Sequence, residues 1–288
     1  MKKFILFMFI LSGALTASAQ TIDFSQAQTQ KTDTSKKIVL EQPQYRATYT
    51  YRYARNAKRP NEKRQGIVLL QIGEHYNRFS DYYKFRFDSL FSVNAKQQLS
   101  AAQTMPEALL LLRKAQFEQD IVTDKKKNEN TIQCTVIGSV QIYQYQEKCP
   151  DLKWELEEGD STIAGYACKK AKTSLFGRDY IAWYAPEVNL PYGPYKFNGL
   201  PGLVFQVKDT NDNFEFVLTG LEKVSRYCPI ELADKDQVTK TSRQTLRKIE
   251  KNAYANPAQA LMSGGDVKIP KETLATVNAK PYNPIELE

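Results

Sequence analysis

Large apolar residues return at every second position along most of this chain, and the runs are broken by short polar turns. Tyr45, Ala47, Tyr49, Tyr51 and Tyr53 alternate with Arg46, Thr48, Thr50 and Arg52, the pattern of a strand with one face in a core and the other in water. A charged turn over 56–65 leads into the nearly continuous apolar run 66–72, which makes a first hairpin. Tyr83, Phe85 and Phe87 alternate again with Lys84 and Arg86 and read as a further strand. Past residue 130 the pattern recurs in Ile132, Cys134, Val136, Val140 and Ile142, with Gly138 as a bend or bulge. Leu152, Trp154 and Leu156 alternate up to a turn at Glu158-Gly159-Asp160. Strands over 163–172 and 178–184 flank a turn at Phe176-Gly177, and Leu203, Phe205 and Val207 are answered by Phe214, Phe216 and Leu218 across the turn 209–213. Short connections between alternating runs mean antiparallel neighbours.

Helices interrupt twice. Thr104-Met105-Pro106-Glu107 has the form of a capping box with proline early in the first turn, and the helix continues over 108–117. Its run of four leucines, Leu109 to Leu112, requires cover on most sides. Thr241 to Ala255 is helical with Ser242 as cap, is broken at Asn256-Pro257, resumes to Met262 and stops at Ser263-Gly264-Gly265. The expected class is mainly β (α+β): one curved antiparallel sheet with helices packed on one side and a C-terminal helix. The lipoprotein-carrier half-barrel is a fold-level analogy for it.

Between two of the strands lies the segment 183–203, with its aromatics, four prolines and three glycines. Pro201-Gly202 suits the centre of a type II turn, proline setting φ and glycine taking the positive φ that follows. Such a loop is shaped and low in entropy, and it lies on a sheet.

The first residues have the layout of a secretory signal. Lys2 and Lys3 precede the apolar stretch 4–15, and Ala17-Ser18-Ala19 forms a cleavage site before Gln20. The expected organisation is a signal peptide over 1–19, a disordered leader over 20–37 and a single β-rich domain over 38–288. The mature chain is expected in the periplasm or secreted, with no transmembrane segment. Its formal charge falls from +8 to +6 when the two signal lysines leave, and the remaining charges are scattered. A nucleic-acid groove would need a basic stripe, so nucleic acid is excluded as a partner.

The four cysteines, Cys134, Cys149, Cys168 and Cys228, are an even set that suits an oxidising compartment. Zinc is the rival reading, but no C-x-x-C occurs and His75 is the single histidine. Were Glu158-Gly159 a two-residue hairpin turn, Cys149 would face Cys168 at bridging distance, leaving Cys134 with Cys228. Four cysteines allow three pairings in all.

The string Gly199-Leu200-Pro201-Gly202-Leu203-Val204 resembles the signature of the GLPGLI family of exported bacterial proteins, with Val204 where that signature has isoleucine. The resemblance continues in Ile163-Ala164-Gly165-Tyr166, Cys168, Lys170-Ala171, Gly177-Arg178-Asp179-Tyr180, Ala182-Trp183-Tyr184, Gly193-Pro194 and Phe197. Tyr282-Asn283-Pro284-Ile285-Glu286-Leu287 is similar to the family's usual ending. The resemblance implies export and a β-rich domain, with no established biochemical activity.

Candidate chemistry is sparse. A Ser-His-Asp or Cys-His site would have to use His75, which sits in a strand-connecting turn, and no G-x-S-x-G is present. Acid–base work would fall to Glu155, Glu157, Asp179 or Glu187. Asp209-Thr210-Asn211-Asp212-Asn213 begins like a calcium loop but lacks its later glycine and glutamate, and reads as a hairpin turn. The better candidates are Arg178 with Tyr180, Trp183, Tyr184, Tyr192, Tyr195 and Phe197, an arginine among aromatics on a stiffened loop that suits contact with a peptide or protein. The competing structural role is that the loop covers its own sheet. The reading that results is an exported, non-enzymatic binding or accessory protein of the envelope, meeting a protein or apolar ligand and calling for no cofactor or metal. A carboxylate-based periplasmic hydrolase is the alternative.

Overall fold

The computed structural model describes residues 31, 32, 34, 36–137, 139, 141–263 and 276–288. The expected signal peptide and most of the expected leader lie outside the described residues, as do Gly138, Val140 and the Gly264-Gly265 stop. Fourteen strands are present among the described residues. Twelve form one large curved sheet that does not close into a barrel. It consists of two meanders running in opposite directions from a shared seam. The first contains β2 (Tyr45–Ala54), β3 (Lys63–Ile72), β4 (Tyr76–Asp81), β5 (Gln119–Asp124), β6 (Glu129–Thr135) and β7 (Ile142–Lys148). The second contains β8 (Glu155–Ile163), β9 (Tyr166–Leu175), β10 (Arg178–Ala185), β11 (Leu203–Asp209) and β12 (Phe214–Lys223). The short β14 (Val238–Lys240) adds to β7 in parallel, while every other neighbour is antiparallel, as short turns require.

The seam is β2 against β12. Every second residue of β2 faces the core, and Tyr51 stacks on its cross-strand partner Phe216 with ring centroids 4.8 Å apart. Such pairs stabilise a sheet by about 0.2–1 kcal/mol each. A separate ribbon of β1 (Lys37–Glu41) and β13 (Ile230–Ala233) lies beside the first meander, tied to it by the Gln133 side chain, which bonds both the N–H and the C=O of Ala233.

Helices α1 (Tyr82–Lys96) and α2 (Ala101–Lys114) form a hairpin between β4 and β5. The alternation at Tyr83, Phe85 and Phe87 suggests a strand, but Asp81 caps a helix here, and Phe87 meets Phe91 one turn on with centroids 4.6 Å apart. α2 begins earlier than the Thr104 motif suggests: Ser100 and Gln103 make the capping box, and Thr104 is buried against Asn94 and Thr32. Lys31 also bridges Ser100, so structure among the described residues starts before Ile38. The C-terminal helix α3 (Arg243–Ala255), capped by Ser242, buries Leu246 and Ala253 in the main core and is followed across Asn256-Pro257 by α4 (Pro257–Ser263).

The hairpin of β8 and β9 corrects two expectations. The chain turns at Ala164-Gly165, both with positive φ (+50° and +85°), the requirement of a type I′ connection. Glu158-Gly159 is instead a bulge within β8, between Glu157 and Asp160. Cys168 therefore faces Ser161, not Cys149. Cys149 sits past β7 beside Asn130, Cys134 donates to Glu250 on α3, and Cys228 precedes β13, its carbonyl bonded by Gln71. All four cysteines are free thiols, so neither expected disulfide, Cys149–Cys168 or Cys134–Cys228, is formed. β8 is also a sheet edge, and its acidic run together with the bulge discourages edge-to-edge pairing.

Asp81 holds the helical hairpin to the sheet. Its fully buried carboxylate accepts from Tyr83 and Lys84 N–H at the start of α1 and from Gln116 and Phe117 N–H beyond α2. Burial pushes its pKa up, and these donors and Lys84 draw it only part of the way back. Asp81→Ala leaves four N–H groups without this acceptor and should cost about 3–5 kcal/mol in urea unfolding. Asp81→Asn, which keeps one acceptor oxygen, should cost less. Equal midpoints for wild type and Asp81→Ala would show that the hairpin is held by other means.

Candidate functional site

β10 leaves the sheet at Ala185, and the chain returns at Leu203 after the loop 186–202. The loop folds back over the inner face of its own sheet. Leu203 N–H bonds Val188 C=O at 3.0 Å and Val204 N–H bonds Tyr192 C=O at 2.9 Å. The corner is tighter than a type II turn: Gly202 N–H reaches back only to Leu200 C=O, at 2.8 Å, around Pro201. Gly202 has φ of +150°, and a Cβ there would stand 2.2 Å from Ala185 O, so glycine alone fits.

The seven binding candidates separate. Arg178, Tyr180, Tyr184, Tyr195 and Phe197 are buried. Tyr192 is half-buried, with the Lys125 ammonium 4.3 Å from its ring centroid. Trp183 points the other way, because on β10 the even-numbered residues face the core and Ile181 and Trp183 face outward.

The buried members build a clasp around the chain's last residues. Arg178 donates to Ile285 O at 3.1 Å, to Pro284 O at 2.7 Å and to Asn283 Oδ1 at 2.8 Å, and it pairs with Asp209 at 3.4 Å. Asp209 Oδ1 also accepts from the N–H groups of Asn213 and Phe214, closing the predicted hairpin turn. Asn283 Nδ2 bonds Ala54 O and Asn213 Oδ1, which ties the tail to the seam. Glu286 is held by Lys196 Nζ at 2.5 Å, by the Tyr195 hydroxyl and by Arg243 Nε at 2.7 Å. Lys196, whose side chain has no exposure, also pairs with Glu147 on β7 at 2.5 Å. A loop of the second meander thus reaches the far end of the first. Lys196, Arg243 and Glu147 had no place among the sequence candidates, Asp209 entered only as a turn residue and Glu286 only as part of the chain's ending. The available signal was a lone charge between apolar residues, Lys196 between Tyr195 and Phe197, and Glu286 between Ile285 and Leu287.

Burial alone would push the Glu286 carboxyl up, but Lys196, Tyr195 and Arg243 overcome it and hold the pKa below the usual range. Its stabilising contribution is present above the unfolded carboxylate range and is lost as pH falls through that lowered value. Glu250 on α3, bonded to Cys134 Sγ and the Tyr282 hydroxyl, is pushed up to about 7 by burial. Its sign is opposite. Between the unfolded value and about 7 the native state alone holds the proton, so stability falls as pH rises through that window.

The outer face carries a different surface. A groove of 340 Å³ runs along β9, β10 and β11, lined by Lys170, Ile181, Trp183, Gln206, Lys208 and Thr210. Trp183 faces Lys170 on one side and Gln206 on the other, and Ile181 faces Lys172 and Lys208. Glu157 pairs with Lys170 at 2.8 Å and with Lys172, and those lysines hold its carboxyl below the usual range. The result is a half-buried indole plane framed by lysine and amide groups that can bond hydroxyls and carbonyls. It suits a ligand with one apolar face and polar edges.

His75 is exposed, its Nδ1 3.2 Å from Glu41 Oε2. Glu155, Asp179 and Glu187 are exposed, and Asp179 accepts from Ser174. Among the described residues no group of three or more His, Cys, Asp or Glu side chains is placed to hold a metal ion.

Comparison with known proteins gives three findings. Residues 89–248 match the family described as N-glycanase peptide, N-terminal domain. No curated protein matches the chain. Among solved structures, PNGF-II in its P21 and C2 crystal forms superposes with a TM-score of 0.47 at 16% identity over 72% of this chain. The chain spans about a third of PNGF-II, 33% in the P21 form. An uncharacterized conserved protein from Thermus thermophilus gives a TM-score of 0.32 at 11% identity, covering 71% of this chain and 92% of that one.

Two outcomes test the clasp. Lys196→Met leaves Glu286 and Glu147 without their shared cation and should cost about 3–5 kcal/mol in urea unfolding, partly recovered when Glu286→Gln is added. An unfolding midpoint unmoved by Lys196→Met would remove the clasp from the stability of the fold. Glu250→Gln should leave stability near pH 4.5 little changed and raise it by roughly 2–3 kcal/mol at pH 8, flattening the pH profile. A variant whose profile stays parallel to wild type across that range would contradict the assignment.

Proposed function

The chain belongs to the family described as N-glycanase peptide, N-terminal domain, and on that premise we propose that it is an exported accessory domain that binds glycan-bearing protein without catalysis. One observation carries the reading: Trp183 presents its ring in an open groove framed by Lys170, Gln206 and Lys208 on the outer face of the sheet. The apolar face of a pyranose ring stacks on an indole, while its hydroxyls bond neighbouring amides and ammonium groups. The Pro/Gly loop supports this surface from behind. The GLPGLI resemblance and the signal-like first residues are part of the same proposal and favour the periplasm or the exterior. The carboxylate-based hydrolase is the weaker reading, because the acidic groups nearest the groove, Glu157 and Asp209, are engaged by Lys170, Lys172 and Arg178.

The test is calorimetric titration of the mature protein with an N-glycosylated peptide and with the same peptide lacking the glycan. Wild type should prefer the glycosylated form, and Trp183→Ala should weaken that binding about tenfold while the thermal melt stays in place. Equal binding of the two peptides, or no loss in Trp183→Ala, would refute it. Glycan released from the peptide during the titration would favour the hydrolase. Mass spectrometry of the exported protein should find its N-terminus at Gln20.

A further inference from the structure

A second cavity lies away from the Trp183 groove, where the turn between β2 and β3 meets the C-terminal tail. Its volume is 380 Å³, and it is lined by Arg55, Asn56, Arg59, Glu62, Lys63, Arg64 and Pro281. The strand register explains how its cations come together. Tyr53 faces Arg64 and Ala54 faces Lys63, so the register brings both of these cations to the end of the hairpin beside Arg55. Lys63 is spent on Asp212 at 2.5 Å, and Arg59 on Glu62 at 3.3 Å. Among the described residues neither Arg55 nor Arg64 has an acidic partner.

The tail brings a third cation. Lys280 is fixed by its backbone N–H, which donates to Tyr254 C=O at 2.8 Å, and the next residue, Pro281, lines the cavity. Lys280 is half-buried, again with no acid paired to it among the described residues. Burial and then the charges of Arg55 and Arg64 hold its pKa below the ordinary lysine value, the sign of a cation facing cations. Glu62 on the cavity wall is engaged by Arg59, and the charges of Arg55, Arg64 and the adjacent Lys280 repel one another unless a further anion sits between them.

We propose that Arg55, Arg64 and Lys280 form a binding site for a phosphate group carried on a small molecule or a lipid head. Two guanidinium forks match the paired oxygens of a tetrahedral oxyanion, and a lysine adds a mobile point charge. The cavity is larger than a bare phosphate and leaves room for the group that bears it. The site is independent of the glycan reading, since none of its residues lines the Trp183 groove.

Calorimetry in phosphate-free chloride buffer tests it with inorganic phosphate, glucose 1-phosphate and glucose, and co-sedimentation tests phosphatidylglycerol against phosphatidylcholine vesicles. Phosphate-bearing probes should bind and glucose should not. Arg55→Ala/Arg64→Ala and, separately, Lys280→Met should each weaken binding about tenfold or more with unchanged circular dichroism and thermal melts. Variant-sensitive binding confined to phosphatidylglycerol vesicles identifies a lipid head as the source, and the same sensitivity with glucose 1-phosphate identifies a soluble ester. Wild type that ignores every phosphate-bearing probe, or variants that bind as wild type does, would overturn the site. Intact glycopeptide binding in the Arg55→Ala/Arg64→Ala variant keeps this result separate from the fate of the Trp183 groove.

Discussion

A single buried ion pair, Lys196 with Glu286, joins the parts of this protein that the sheet alone leaves apart. Lys196 belongs to the loop after β10, Glu286 to the end of the chain, and Glu147, the second partner of Lys196, to β7 near the opposite limit of the sheet. Taking these charges out of water carries a large desolvation cost, offset because the Tyr195 hydroxyl and Arg243 complete the hydrogen bonding of the Glu286 carboxylate. A well-packed apolar cluster could give comparable stability. What the ionic arrangement adds is direction, since each partner accepts only certain geometries, and the open sheet is thereby held in one curvature.

The tail acts as the last piece of the core. Arg178 reads its backbone through the carbonyls of Pro284 and Ile285, and Asn283 returns the contact to the seam between the meanders. The two faces of β10 therefore have different duties. Arg178, Tyr180, Ala182 and Tyr184 close the inner face, and Ile181 and Trp183 are left to the outer one. Strand alternation, with no further device, separates the part that holds the fold from the part available to a ligand.

Legibility in the sequence followed the range of the interactions involved. The strand of Tyr45 to Ala54, the turns at Phe176-Gly177 and 209–213, and the Ser242 cap were all readable, because each depends on residues within a few positions of one another. The hairpin of β8 and β9 was misread for a local reason as well. Ala164 takes a left-handed conformation that glycine usually supplies, while Glu158-Gly159 looks more like a turn and serves as a bulge. That displacement of the turn was enough to undo the expected disulfides. At Tyr83 to Phe87 the same aromatics fit a period of two or of three and a half, and the deciding group was the Asp81 carboxylate, which caps the helix at Tyr83 and Lys84 and also holds Gln116 and Phe117, more than thirty residues away.

The order of residues by itself determined that this chain makes a mainly antiparallel sheet with a helical C-terminal segment, because period and turn chemistry are written locally. It also marked the loop around Pro201-Gly202 as stiff, since φ at proline and the lack of a Cβ at glycine are properties of single residues. Which aromatics that loop would bury, and that a lone lysine and a lone glutamate ninety residues apart would meet beneath it, only the tertiary structure decided. Burial and charge pairing depend on what the rest of the chain brings alongside, and no periodicity encodes a contact between segments so distant.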